Sequence, residues 1–224
     1  MGLYSAYKKL RWSKKAMRSP LNALYKSTPT AQNCKFQDVR FLIVDCEMSG
    51  LNVATSELLS IGWVRVENGV MKYDSRKHVL LHAKGDVGES IKIHGLFDHN
   101  LAGASSPAQA IAALVHEIPG SVLVFHHAPL DLAFLQKTAQ AAFGCPLVFQ
   151  YVDTMRIEQR RLERQGKTAG LQLNVCRERY GLPPAVAHNA MYDAIATGEL
   201  LLAQASYLRS RKSLNLGQLN LQGL

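Results

Sequence analysis

The 224-residue sequence holds only four cysteines, Cys34, Cys46, Cys145 and Cys176, far apart and with no C-x-x-C pair. That scarcity argues against a disulfide framework, a dithiol redox motif and a cysteine-built zinc knot, and it makes a reducing compartment, the cytoplasm, the expected setting. No apolar run approaches the ~18 residues that a spanning helix needs, so no membrane span is expected. Internal repeats and low-complexity runs are absent too, and 47% hydrophobic with 19% charged residues is an ordinary globular balance. The length suits one core domain of roughly 150 to 200 residues with tails.

Acids are the scarce charge, 17 against 26 basic groups, for a net charge of +9. The shortage is local. Residues 1 to 40 hold nine basic groups (Lys8, Lys9, Arg11, Lys14, Lys15, Arg18, Lys26, Lys35, Arg40) and one acid, Asp38, whereas the remaining 184 hold 17 basic and 16 acidic groups. The core is therefore nearly balanced, and the basic segment is a separate device for an anionic partner. Leu3, Tyr7, Leu10, Met17, Leu21 and Leu24 fall at steps of three, four and seven, which predicts an amphipathic helix broken near Ser19-Pro20. Nucleic acid, an anionic membrane surface or another protein's groove would accept it, and it could equally dock on its own domain with its charges solvated. A mitochondrial transit peptide is also basic and acid-free, which would move the setting to the mitochondrial matrix; the long apolar stretch of a secretory signal is missing. The expected organisation is a basic helical tail over 1–35 that strengthens nucleic-acid binding, a domain over 36–207, and a flexible C-terminal tail over 208–224.

Beyond the linker KSTPTAQN the pattern turns to strands. FLIVD (Phe41 to Asp45) is a continuous apolar run of the kind buried on both faces. Leu58 to Val66 and Met71 to His82 are joined through Asn68-Gly69, a strong hairpin signal. Ser106-Pro107 opens a helix with Gln109 completing a capping box, and Ile111, Leu114, Val115 and Ile118 give it an apolar face. Ser121 to Phe125 is a second buried strand, Pro129 to Ala142 a helix, and 147 to 151 a short strand. Helices near 153–164 and 172–179 and a last one from about Ala190 to Tyr207 complete the chain. Three antiparallel strands followed by alternating helices and strands resemble an RNase-H-like α/β domain with a mixed five-stranded sheet.

Asp45 and Glu47 close the first buried strand, where period-two alternation puts both on one side. At ~4 Å in an effective dielectric near 20, two such charges repel by about 4 kcal/mol, and a divalent cation would relieve that. Asp131, in HHAPLDLAFL, and Asp193, in HNAMYDAIATGEL, each open a helix. An aspartate there is commonly only a cap or dipole partner. Four carboxylates at the ends of neighbouring elements are another matter, and hard oxygen ligands in this number suit Mg2+ or Mn2+.

On these residues the chain resembles the DEDDh 3′-5′ exonucleases, the group that includes the proofreading epsilon subunit of bacterial DNA polymerase III. The resemblance runs from Phe41 to about Gln204. DCEMSGL (Asp45 to Leu51) matches the family's D-x-E-T-T-G-L, HHAPLD (His126 to Asp131) its H-N-A-x-F-D, and His188 to Asp193 its H-x-x-x-x-D. IHGLFDHNL (Ile93 to Leu101) looks like the family's I-H-G-I-T-D-x-x-L loop, and VDTMRIEQRR with the run Leu171 to Leu182 also follows the pattern. Met48-Ser49 replace the usual Thr-Thr and make DCEMSGL read more like oligoribonuclease, while His127 stands where Asn is usual and Leu130 where Phe is usual. Asn189, not Tyr, lies four residues before Asp193, so this is the histidine branch; Asn189 is also placed to cap the last helix.

The resemblance implies metal-dependent hydrolysis of phosphodiester bonds from the 3′ end of single-stranded nucleic acid, DNA favoured, with release of nucleoside monophosphates. A short-RNA exoribonuclease of the oligoribonuclease type is the alternative, and a catalytically idle binding module a further class. Asp45, Glu47, Asp131 and Asp193 would ligate two divalent cations, Mg2+ or Mn2+, and His188 would be the general base. Cys46, Met48, Ser49, His94, Gly95, Leu96 and His127 would line the terminal nucleotide. His82 and His126 read as structural. Arg156, Arg160, Arg161, Arg164 and Lys167 could follow a phosphate backbone or form a solvated face. QLNLQGL loosely resembles the Q-L-x-L-F peptide with which polymerase partners bind the sliding clamp, so a polymerase or clamp is a candidate partner beside DNA or RNA 3′ ends.

Overall fold

In the computed structural model the described residues are 3–82, 103–185, 189–208 and 213–223. Helices α1 (Leu3–Ala16) and α2 (Asn22–Lys26) and a 3-10 turn (Phe36–Asp38) lead into strands β1 (Arg40–Met48), β2 (Leu58–Glu67) and β3 (Val70–Leu80). There follow α3 (Pro107–Glu117), β4 (Ser121–Phe125), α4 (Ala128–Phe143), β5 (Gln150–Asp153), α5 (Thr154–Arg164), α6 (Leu173–Glu178) and α7 (Ala190–Leu208). A second 3-10 turn (Leu216–Leu219) and a two-residue strand, β6 (Gln222–Gly223), end the chain. The sheet order is β3-β2-β1-β4-β5-β6.

The apolar run of β1 explains its central place: it pairs antiparallel with β2 and parallel with β4, and both its faces are covered. Asn68 and Gly69 take φ of 55° and 70°, the left-handed pair that a two-residue hairpin turn requires, and Glu67 faces Val70 across it. One face of the sheet packs Leu42, Val44, Ile61 and Trp63 against α2, α3 and α4. The other packs Phe41, Ile43, Val64 and Val66 against α7 and the C-terminal segment. Ser106 and Gln109 form the expected capping box of α3.

Three expectations are corrected. The fifth strand begins at Gln150, not at 147, because Leu147 N–H donates to Gln136 Oε1 and Leu147 C=O accepts from Gln136 Nε2, at 2.9 Å each, instead of joining a ladder. Among the described residues the sheet has six strands, since Gln222–Gly223 adds an antiparallel edge to β5. Within the span expected as a flexible tail, the described residues 213–223 pack on the fold: Leu214, Leu216 and Leu219 are fully buried, and Asn215 and Gln218 cap the turn reciprocally. Leu219 and Gln222 are thereby taken up by the fold, so QLNLQGL is not presented as a free peptide.

The basic N-terminal segment is likewise docked. Ala16, Leu21 and Leu24 are fully buried, Tyr25 donates its hydroxyl to the Pro146 carbonyl at 2.8 Å, and Thr30 and Gln150 hydrogen-bond reciprocally. The two chain ends also meet, Phe36 N–H donating to Leu214 C=O at 2.8 Å and Leu216 N–H to Cys34 C=O at 3.1 Å.

Buried leucines at the C-terminal turn carry core-sized consequences. Leu216→Ala and Leu219→Ala are each expected to lower unfolding free energy by ~2–5 kcal/mol in denaturant titration, whereas a detached tail would give no change.

Candidate active site

Alternation along β1 sends Asp45 and Glu47 to the face that α7 covers and Cys46 to the face that α4 covers. Across the ladder Asp45 stands opposite Gly62, and Glu47 opposite Ser60. The third acid comes from α7. Asn189 accepts hydrogen bonds from Met191 N–H at 3.1 Å and Tyr192 N–H at 3.4 Å, which caps the helix as expected and sets Asp193 in its first turn. Gly62 lets this turn touch the strand: a Cβ there would lie 2.2 Å from the Ala190 carbonyl carbon and the Met191 nitrogen. With that approach, oxygens of Asp45, Glu47 and Asp193 all lie within 4.8 Å of one another.

Asp131 reaches the same strand from the opposite face. It is buried in the first turn of α4 and accepts hydrogen bonds from the Cys46 N–H and thiol. It stands outside the 4.8 Å group, yet its charge acts on Asp45. The α4 turn is fixed by Asp153, a residue that sequence reasoning passed over although it sits in the quoted VDTMR run. Its buried carboxylate accepts from His127 N–H and Ala128 N–H at 3.1 Å each and from Met155 N–H at 3.0 Å. These bonds hold His127 at φ 74°, a left-handed conformation unfavourable for a non-glycine residue. Arg177 is another unanticipated anchor. Fully enclosed, it donates to the carbonyls of Pro183 and Ala196 and pairs with Glu199 at 2.8 Å, tying the chain on both sides of residue 188 in sequence.

The site residues expected from sequence divide into groups. Asp45, Glu47 and Asp193 converge, with Asp131 adjacent. His127 is exposed at the mouth of α4, Met48 is half-buried against the α4-side core, and Ser49 accepts from Glu57 N–H at 2.9 Å, closing the 49–57 loop. Cys46 is buried, its side chain on the face of the strand opposite to Asp45 and hydrogen-bonded to Asp131. His94, Gly95, Leu96 and His188 lie outside the described residues. His126 is bound by the Thr154 hydroxyl and the Leu171 carbonyl, each at 2.8 Å, as a structural residue would be. Arg161 is no phosphate follower; it pairs with buried Glu158 at 2.6 Å and stacks on Tyr180 and Tyr207, while Arg156, Arg160, Arg164 and Lys167 remain exposed.

Burial, then mutual repulsion, dominates the electrostatics. Desolvation and the charges of Asp131, Asp193 and Glu47 push the Asp45 carboxyl well above its ordinary range. Glu47 rises to about 7 through desolvation and the Asp193 charge. Asp131 rises to about 8, chiefly through burial, although its hydrogen bonds pull the other way. A donor set made of carboxylate oxygens, crowded and partly buried, fits a hard divalent cation such as Mg2+ or Mn2+.

A carboxyl whose folded pKa is raised keeps its proton in the native state at a pH where the unfolded chain has lost it, so stability falls as pH rises through that window. For Glu47 and Asp131 the window runs from ordinary values of 4.5 and 3.8 to about 7 and about 8. In chelator the melting temperature should therefore drop between those limits, and Mg2+ added at the upper limit should restore it. A flat profile in chelator would contradict the repulsion. Gly62→Ala should lift α7 from the strand and weaken Mg2+ binding by ~10-fold or more in calorimetric titration. Gly103→Ala, with nothing within 4 Å of the new methyl, should change nothing.

The RNase_T family model, described as Exonuclease, matches residues 42–201. DNA polymerase III of the PolC type is 25% identical over 168 residues in Thermotoga petrophila, covering 75% of this chain and 12% of that protein. The Streptococcus suis protein of the same description is 27% identical over 209 residues, covering 89% of this chain and 14% of its own length. The chain thus spans about an eighth of these relatives. Among solved structures, an Escherichia coli ExoI–ssDNA complex in a zinc-bound form superposes with a TM-score of 0.63 at 15% identity, covering 78% of this chain and 42% of that one. Exonuclease X in complex with 5′ overhanging duplex DNA gives 0.58 at 18%, covering 80% and 96%. Cell-death related nuclease 4 gives 0.61 at 16%, covering 79% and 66%. These likenesses bear out the RNase-H-like fold, and the family match spans all four acids: the chain belongs to the RNase_T exonuclease family.

Proposed function

We propose that the protein is a divalent-cation-dependent 3′-5′ exonuclease that removes nucleoside monophosphates from the 3′ end of single-stranded nucleic acid, DNA in preference to RNA. The observation that carries this reading is the set of Asp45, Glu47 and Asp193 oxygens within 4.8 Å of one another, with Asp131 beside them, inside a chain of an exonuclease family. Asp45, Glu47 and Asp193 would hold one cation, and Asp131, with Asp45, would serve a second. Bound there, such ions supply a nucleophile at neutral pH and offset charge on the departing 3′ oxygen. His188, five residues before Asp193, takes the proton of the attacking water on its neutral ring. His127, Met48 and Ser49 contact the terminal nucleotide, together with the His94–Gly95–Leu96 loop. The four unpaired cysteines suit a reducing cytoplasm. The PolC-type relatives support DNA as substrate and a place beside a replicative polymerase; the Met48-Ser49 replacement within DCEMSGL supports, as a second reading, turnover of short RNA.

Turnover should vanish in chelator and in Asp45→Ala. His188→Ala should lower kcat by ~10² or more with Mg2+ binding little changed, since a base and not a ligand is removed. Asp193→Ala should lose metal affinity and rate together. Near-wild-type kcat in His188→Ala, or metal titrations that do not separate the two variants, would remove the distinction between base and ligand. Comparing rates on di- and triribonucleotides with those on long single-stranded DNA decides between the two substrates.

A further inference from the structure

Tyr7, Leu10 and Met17, 56%, 80% and 59% exposed, stand on one side of α1 and its exit turn. At ~100° per residue they lie within about 80° of arc, with Lys14 among them and Arg11 and Arg18 along one edge. All three basic residues are exposed, and no acid occurs anywhere in residues 1–35. The other side of the helix is held down: Ala16 is fully buried, Trp12 packs on the core, and Lys9 donates to the Ser27 carbonyl at 2.8 Å. The outward face is therefore a fixed surface that combines positive charge with projecting apolar side chains.

Its place separates it from the carboxylates. Ser19 touches Cys145 and Tyr25 bonds Pro146, just past the C-terminal end of α4, whereas Asp131 is in the first turn of that helix. Sixteen helical residues put about 24 Å between the two ends. We propose that this face of α1 docks the protein, reversibly, on the headgroup layer of an anionic lipid bilayer. Charge alone calls for a polyanion. Leu10 and Met17 decide which one: a bilayer offers an apolar layer beneath its charged surface, whereas a nucleic-acid backbone offers none. Exposed basic residues near such a surface add about fivefold each in binding, and the apolar tips add the part that salt does not screen. The inference is independent of the nuclease reading, because none of these residues approaches the carboxylate cluster.

The test is flotation of the full chain with vesicles of phosphatidylglycerol and phosphatidylcholine, against vesicles of phosphatidylcholine alone. Binding is expected only with the anionic lipid, weakening as salt rises. Leu10→Ser with Met17→Ser, both at exposed positions with every charge kept, should lower partitioning by ~10-fold while leaving hydrolysis of a short oligonucleotide unchanged. Failure to float with the anionic vesicles at low salt overturns the proposal. So does flotation that the double variant leaves intact, or retention on duplex DNA that depends on Arg11, Lys14 and Arg18 without any lipid binding.

Discussion

Like charges held close together in a partly dry site are the constraint on which the rest of this molecule is built. At ~4 Å and an effective dielectric near 20 each pair repels by about 4 kcal/mol, enough to be a large fraction of a domain's net stability. Asp45, Glu47 and Asp193 nevertheless share a space of 4.8 Å, so the scaffold has to hold them against their own field. It does so with β1, whose Phe41–Val44 run is buried on both faces and paired on both edges. The acids thus ride at the end of a strand covered on both faces and paired on both edges.

The two helices that complete the cluster are fixed in different ways. The α7 turn is held by contact, Gly62 allowing backbone to lie on backbone, and by the Asn189 cap. The α4 turn is held by charge, the Asp153 carboxylate gathering three N–H groups at the junction of β5 with α5 and at the start of α4. That choice has an electrostatic consequence: Asp153 adds its own negative charge to the burial that already raises Asp131. Cys46 offsets part of it, donating N–H and thiol to Asp131 while facing away from Asp45, so one strand residue links the acids of the two faces.

Much of this was legible in sequence because the relevant signals are local. Strand alternation placed Asp45 and Glu47 together, Asn68-Gly69 fixed the hairpin, Ser106 with Gln109 fixed α3, and Asn189 announced the last cap. What escaped depends on tertiary neighbours. A glycine inside LLSIGWV carries no sign that a helix will rest on it, and Asp153 looks like any strand-end acid until the N–H groups of residue 127 and 128 are brought to it. Cys46 shares a motif with Asp45 and Glu47, yet alternation turns its side chain to the opposite face, where it meets Asp131. The C-terminal turn was misread because Leu214, Leu216 and Leu219 are spaced for neither a long helix nor a strand, and their burial depends on Phe36 and Cys34, far away in sequence.

The distribution of charge bears on how an anionic strand would be held. Outside the first 40 residues the basic and acidic groups nearly cancel, so the core offers a phosphate backbone no general attraction, and the carboxylate cluster repels it. On the proposed reading, then, affinity near the site has to come from local groups and from the cations themselves. Arg156, Arg160 and Arg164 are exposed on α5, a helix that starts where β5 ends beside Asp153. Arg161 alone of that run is withdrawn, because Glu158 lies fully buried and needs its charge answered by Arg161 and Arg179. Cations that lower the carboxylate repulsion would raise affinity for the strand, and by reciprocity the strand's phosphates would tighten the cations. Substrate and cation binding in such a site are coupled by the same repulsion that the fold is built to withstand.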